Sequence, residues 1–270
     1  MKSYASFRPG TLQPLHMVFM VFGGCILLFI IGPLASMILH TGSNEMIQAI
    51  ADPEITESIW LTIWTSMAGA LFFAILAIPF AYLLARKNFP FKRLVLAVID
   101  LPIVVPHTAA GIAILGVLSR NSLLGSTANE FGIQLIGSPI AIMAAMSFVS
   151  IPFLINSARD GFIGVPERLE KAALNLGASQ FRVFITISLP LAWRSVLSGI
   201  ILMWARGLSE FGAVVIVAYH PMITPILIYE RFSSFGLKYA RPVTVVFLMV
   251  CLFIFILLRL LAGGKRDADT

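Results

Sequence analysis

Long runs of apolar residues separated by short polar connections organise this chain. They fall at about 16–39, 58–85, 94–118, 138–158, 195–219 and 243–262. Each is close to the ~20 residues that a membrane-crossing helix needs. The pattern predicts an all-α integral membrane protein of six transmembrane helices. The first run follows Lys2 and Arg8, as the apolar region of a signal peptide would. It is longer than such a region and no small-x-small cleavage site closes it, so it reads as an uncleaved span. No internal repeat or low-complexity linker divides the sequence, and residues 1–270 read as one transmembrane domain.

The connections differ in charge. The first, 40–57, holds Glu45, Asp52, Glu54 and Glu57 without Lys or Arg. The second, around 86–93, reads RKNFPFKR, and the fourth, 159–194, carries Arg159, Arg168, Lys171, Arg182 and Arg194. Basic residues mark the cytoplasmic side of a membrane protein. A multi-pass protein of the cell membrane with both termini cytoplasmic is therefore expected, and it places fourteen of the 19 basic residues inside. The outer connection 220–242, with Arg231, Lys238 and Arg241, breaks the rule.

Composition excludes a water-soluble domain. Apolar residues make up 59% and charged residues 12%, with a mean hydropathy of +0.93, against about 25% charge in soluble domains. The net charge of +6 belongs to the topology and not to nucleic-acid binding, since the basic residues do not interleave with aromatics on one face. Cys25 and Cys251 sit in apolar runs and behave as small hydrophobes.

The 36 residues of connection 159–194 are too many for a bare loop in a compact domain. Val165, Leu169, Ala172, Ala173 and Leu176 recur at three- and four-residue steps among Glu167, Arg168, Glu170, Lys171 and Asn175, which predicts an amphipathic helix of about three turns. Pro166 suits its first turn, Glu167 and Glu170 its positive end, and Gly177 its stop. A second amphipathic stretch, 181–187, leads to Pro190 and the fifth span. Periodicity leaves two uses open: a helix lying on lipid headgroups, or one fitting a protein groove.

Two spans carry polar groups at membrane depth, where each is a functional candidate. Arg206 and Glu210 lie four residues apart in the fifth span and can neutralise each other, as a structural ion pair or as part of a gate or pathway. Pro102, Pro106 and His107 interrupt the third span, bending it for packing or to line a pathway. Asp100 is expected beside Arg93 as a structural partner. His107 has no other histidine near it, and no zinc spacing or G-x-S-x-G nucleophile motif occurs, which disfavours an intramembrane hydrolase. No phosphate loop of the G-x-x-x-x-G-K-[ST] type is present, and no metal site is expected.

The segment from Ala172 to Pro190 resembles the EAA loop of ABC importer permeases. That pattern is EAA, three residues, Gly, nine residues, I-x-L-P, and Ala172, Ala173, Gly177, Ile187, Leu189 and Pro190 match it. Lys171 stands where the family glutamate would, with Glu170 one residue earlier. The resemblance implies that Glu167, Glu170, Lys171, Ala172, Ala173, Leu176 and Gly177 dock a separate ATP-binding subunit. That subunit would hold ATP and magnesium, so this chain would bind no cofactor and be no enzyme.

The stretches DLPIVVPHTAAGIAIL, ARGLSEFGAVVIVAY and HPMITPILIYERFSSFGLKYARPV are similar to the permeases for group-six oxyanions. ILIYERF in particular resembles the archaeal molybdate/tungstate permeases, while R-x-x-x-E-[FY]-G is shared with sulfate permeases. The resemblance implies an importer made of two copies of this chain, two ATP-binding subunits and an extracytoplasmic oxyanion-binding protein. Pro102, Pro106, His107, Arg206 and Glu210 would then border the pathway or its gate. A sulfate permease is the alternative within the group. A self-contained anion transporter using Asp100 and Glu210 as proton sites is the alternative outside it.

Overall fold

The computed structural model describes residues 14–262; Lys2, Arg8, the Arg259 side chain, Lys265 and Arg266 lie outside the described residues. The described residues form helices in the order α1 (Pro14–Leu39), α2 (Ser43–Ala51), α3 (Pro53–Arg86), α4 (Lys92–Val104), α5 (His107–Leu118), α6 (Leu123–Glu130), α7 (Pro139–Ile163), α8 (Glu167–Asn175), α9 (Gln180–Val183), a π-helical turn (Phe184–Ser188), α10 (Leu189–Leu208), α11 (Val214–Val217), α12 (Thr224–Phe235) and α13 (Leu237–Ala262). Five helices are long and apolar enough to cross a bilayer: α1, α3, α7, the continuous Gln180–Leu208 helix, and α13. The α4–α5 pair, bent by 110° at its break, passes the same test only when its two helices are taken together, and as one span it would bring the number of passages to six.

Several boundaries differ from the hydropathy pattern, each for a local reason. The second span starts at Pro53, not near 58, because the Asp52 side chain accepts a hydrogen bond from the Glu54 N–H at 3.0 Å and caps the helix. The third span is two helices: Val105, ahead of Pro106, is extended (φ −66°, ψ 133°), as a residue before proline prefers. The fifth begins at Gln180 and ends at Leu208, so the amphipathic stretch 181–187 is its first part and not a separate helix. The π turn just ahead of Pro190 widens the helix where that residue has no N–H to give. The sixth starts at Leu237, just after Gly236 in a left-handed conformation (φ +81°). The connections at 40–57, 119–137 and 220–242 hold α2, α6 and α12.

α7 is the central helix, packed against α3 and α10. α3 turns a stripe of alanines to it, Ala70, Ala74, Ala77 and Ala81, all buried with Leu154, Ala158 and Phe162 of α7 and Val196, Met203 and Trp204 of α10. Small residues matter here because lipid supplies no hydrophobic drive between helices, so close backbone approach must hold them. A Cβ on Gly161 would lie 2.4 Å from the Ser195 Cβ, while the Ser157 hydroxyl donates to the Ser195 carbonyl at 2.7 Å. We expect Gly161→Val to cost about 1–3 kcal/mol through overpacking, read as a lower denaturation midpoint of the detergent-solubilised permease. Gly116→Val, whose Cβ meets nothing within 4 Å, should leave that midpoint in place. Against this core α1 is isolated, with its apolar side chains exposed along its length.

The bundle has a basic and an acidic end. Arg86, Lys87, Lys92, Arg93, Arg168 and Lys171 gather at the first. At the second, Arg231 pairs with Asp52 at 3.0 Å and with Glu54. Partial burial works against the charge of Arg231, but its hydrogen bonds to both carboxylates raise its pKa further above the ordinary guanidinium value. Arg241 donates to the His40 carbonyl at 2.7 Å. Two of the three basic residues that break the charge rule are thus held by acidic or backbone partners of the same end.

Candidate coupling helix and intramembrane charge cluster

α8 starts after Pro166 and closes on Gly177, whose φ of +87° is left-handed. The Gly177 N–H bonds to the Leu174 carbonyl and the Ala178 N–H to the Ala173 carbonyl, a Schellman ending. Glu167 and Lys171 form an exposed i,i+4 pair at 2.9 Å. The hydrogen bond and charge of Lys171 hold the Glu167 carboxyl below its usual pKa.

The helix is turned opposite to a simple amphipathic expectation. Leu169, Ala172 and Leu176 of its apolar stripe are exposed, Leu176 at 89%, with Phe181 beside them at 74%. The residue facing inward is Glu170, 7% exposed. Its carboxylate takes a bidentate pair from Arg86, with Nε 2.9 Å from Oε2 and Nη2 2.8 Å from Oε1. The Ser188 hydroxyl donates at 2.6 Å, the Tyr82 hydroxyl lies at 3.5 Å, and a second Arg86 contact reaches the Val165 carbonyl at 2.9 Å. Glu170 is therefore an internal tether, with its carboxylate engaged by Arg86, Ser188 and Tyr82 of the same chain and not turned outward. Glu167, Lys171, Ala172, Leu176 and Gly177 remain on the outside and Ala173 is half-buried. Arg86, which hydropathy and charge counting treated as topology alone, is the residue sequence reasoning missed. Its partner is 84 positions away, and no local pattern reports that.

The second constellation lies deep in the bundle. Gly207 packs on Ser66 of α3, 13 residues from Pro53 and 20 from Arg86. At about 1.5 Å per residue, Arg206 and its neighbours sit roughly 20 Å and 30 Å from the two ends of α3. That depth lies within the ~30 Å hydrocarbon core.

Here both helix interruptions meet. α10 stops at Leu208, the chain turns through Ser209–Gly212, and α5 begins at His107. Gly212 is required at the contact, since a Cβ there would lie 2.8 Å from the His107 Cβ. Glu210 is wholly buried. Its Oε2 is 3.1 Å from Arg206 Nη2 and 2.8 Å from His107 Nδ1, and its Oε1 accepts the Ala213 N–H at 2.9 Å. Arg206 Nη2 also stands 2.9 Å from His107 Nε2, and Nη1 donates to the Ser209 hydroxyl at 3.2 Å. Nη2 stands 3.0 Å from Nδ1 as well, so it lies over the face of the imidazole and not in line with the Nε2 lone pair, while Nδ1 donates to the Glu210 carboxylate.

The structure thus brings Arg206, Glu210 and His107 together, giving two charged partners to a histidine that has no other histidine near it in the sequence. Pro106 sits at the break, while Pro102 is buried against the bundle. Asp100 accepts a hydrogen bond from Asn156 of α7 at 2.7 Å in place of the expected pairing with Arg93. Asp100 and Glu210, the two carboxylates that a self-contained transporter would use, each have a hydrogen-bond partner within the bundle.

Comparison with known proteins agrees with this architecture. A family described as the inner membrane component of binding-protein-dependent transport systems matches residues 77–266. The molybdate/tungstate transport system permease protein WtpB of Thermococcus kodakarensis is 42% identical over 251 residues, covering 92% of this chain and 96% of the relative. The WtpB protein of Methanocaldococcus jannaschii is 40% identical, covering 89% and 94%. The sulfate transport system permease protein CysT of Synechocystis is 30% identical, covering 90% and 88%. In fold, the chain is similar to a bacterial ABC transporter involved in the import of alginate (TM-score 0.71, 15% identity, 93% of this chain and 96% of that one). The MetNI methionine ABC transporter is also similar (TM-score 0.59, 14% identity, 77% and 93%). With its helical bundle, its EAA-type loop and these relatives, the chain belongs to the binding-protein-dependent transport system inner membrane components, the permeases of ABC importers.

Proposed function

We propose that this chain is the permease of an ATP-driven importer for molybdate or tungstate. Support for the ion comes from the archaeal relatives named for it, at 40–44% identity, against 28–30% for those named for sulfate. Hydrolysis belongs to a separate ATP-binding subunit, which would carry ATP and magnesium. The observation that carries the coupling role is the outward apolar face of α8. A helix that shows leucine and alanine to the outside, while burying an ion pair behind them, is built for a protein groove. Lipid headgroups would favour a lysine-rich outer face.

In this reading the basic end is cytoplasmic, with both termini on that side, following the distribution of Lys and Arg. Two copies pair about a two-fold axis, each docking one ATP-binding subunit through Glu167, Lys171, Ala172, Ala173, Leu176 and Gly177. A binding protein delivers the oxyanion at the acidic end. Closure of the ATP-binding subunits moves the two α8 helices. Because Glu170 is clamped to Arg86, that motion passes into α3 and the α7–α10 core.

The test is paired. Gly177→Ala adds backbone strain alone, since its φ is left-handed and nothing lies near the new Cβ; Gly177→Arg adds bulk at the contact. We expect Arg to abolish co-purification with the ATP-binding subunit and ATP-dependent tungstate uptake in proteoliposomes, while Ala only weakens them. Equal behaviour of the two would remove the docking assignment. Uptake competed as well by sulfate as by molybdate would move the substrate to the sulfate group.

A further inference from the structure

We propose that the Arg206–His107 face of the buried charge cluster is a transient contact site for the tetrahedral oxyanion, with Glu210 as a built-in competitor that keeps binding weak. This rests on the importer reading above and adds a place where the ion touches the protein.

The first argument is the orientation of charge. Glu210 is wholly buried, whereas the side chains of Arg206 and His107 are 24% and 38% exposed. The cluster therefore turns its negative part inward and its positive part outward, from a depth inside the hydrocarbon core. A guanidinium facing lipid there is costly, and such groups instead face the bundle interior or water. An outward cation at this depth is what a water-filled path between two copies would need.

The second argument counts donors. Arg206 has five N–H groups in a fixed fork. Nη2 serves Glu210 and His107, and Nη1 serves Ser209. That leaves Nε–H and one N–H of Nη1 without a hydrogen-bond partner among the described residues. A guanidinium edge of this kind suits an oxyanion, which it can meet with two parallel hydrogen bonds.

The third argument is magnitude. Arg206 and Glu210 sum to zero, so a dianion meets a local dipole and not a fixed positive trap. Passage requires contact strong enough to admit the ion and weak enough to release it. A bare arginine at low dielectric would hold a dianion too firmly, and Glu210 prevents that.

Ser209, exposed and bonded to Arg206, is the reporter. Ser209→Cys is placed in a Cys25→Ala/Cys251→Ala background, because Cys251 lines the same apolar groove as Ser209. The chain is assembled with its ATP-binding subunit in proteoliposomes. Alkylation is timed with an anionic and a cationic methanethiosulfonate of similar size. The expected result is a rate about tenfold higher for the anionic reagent, through local steering, and slowing by millimolar tungstate but not chloride. Arg206→Gln should erase both the charge preference and the protection. Arg206→Lys, which keeps the charge without the fork, should keep the preference and lose most of the protection. No reaction with either reagent, or no protection by tungstate, overturns the site. Wild-type complex that takes up tungstate while S209C goes unprotected defeats the contact site alone. Wild-type complex that takes up neither molybdate nor tungstate with ATP defeats the importer reading itself.

Discussion

Glu170→Ala should lower the denaturation midpoint of the detergent-solubilised permease more than any surface change on α8. Removing one partner of a buried ion pair typically costs about 3–5 kcal/mol, because the other charge stays behind unpaired. The side chains of Arg86 and Glu170 are 10% and 9% exposed, so Arg86 can recover little water. At about 2–4 °C per kcal/mol for a chain of this size, a fall of roughly 6–20 °C follows at a fixed heating rate. Amide exchange over 167–175 should quicken at the same time, since the tether of α8 to α3 and Ser188 is gone. Replacing both partners, Arg86→Met with Glu170→Leu, should recover much of the midpoint, because two apolar groups leave no orphan charge. Coupling should not recover: the double variant would hydrolyse ATP with its partner subunit but import less per ATP. An unchanged midpoint and unchanged exchange in Glu170→Ala would show that the clamp carries no stability.

Glu210→Ala is the second large effect, expected at about 3 kcal/mol, toward the low end of the range for a broken buried pair. Arg206 is partly exposed and can hydrate, but the Ala213 N–H cannot, and its loss of an acceptor adds a desolvation cost. Glu210→Gln is not a gentle version. One amide oxygen replaces two carboxylate oxygens, so either Ala213 N–H keeps its acceptor or Arg206 and His107 do. If the oxygen stays on Ala213, the amide NH2 faces the Arg206 Nη2–H, donor against donor. We therefore expect Gln to recover less than half of the loss in thermal midpoint. Full recovery by Gln would show that shape and the Ala213 bond, and not charge, hold the turn at Ser209–Gly212.

The parts of this molecule that read directly from its sequence are those written in short-range periodicity. The α8 helix, its start at Pro166 and its stop at Gly177 come from residues within a dozen positions of each other. The Arg206–Glu210 pair was expected from helical spacing and forms even though the helix ends at Leu208 and Glu210 lies in the turn beyond it, and the α4–α5 break follows from two prolines four apart. Helix ends were less legible. Asp52 capped a longer α3 than hydropathy indicated, and the π turn carried the fifth helix back through Pro190 to Gln180.

The candidate site was legible as a set of residues but not as a set of partners. Glu170 stood among the docking residues because helix and sequence motif placed it there; its inward turn depends on Arg86, 84 positions away. His107 joins Glu210 across 103 positions and Arg206 across 99. Which residues sit in lipid, how many times the chain crosses and where α8 lies follow from local composition, because the bilayer rewards each apolar run independently. Which face α8 presents, and whether a buried charge finds a mate, were decided when helices distant in sequence packed against α7. A buried carboxylate has no tolerable alternative to a partner, so tertiary contact alone decides where it points.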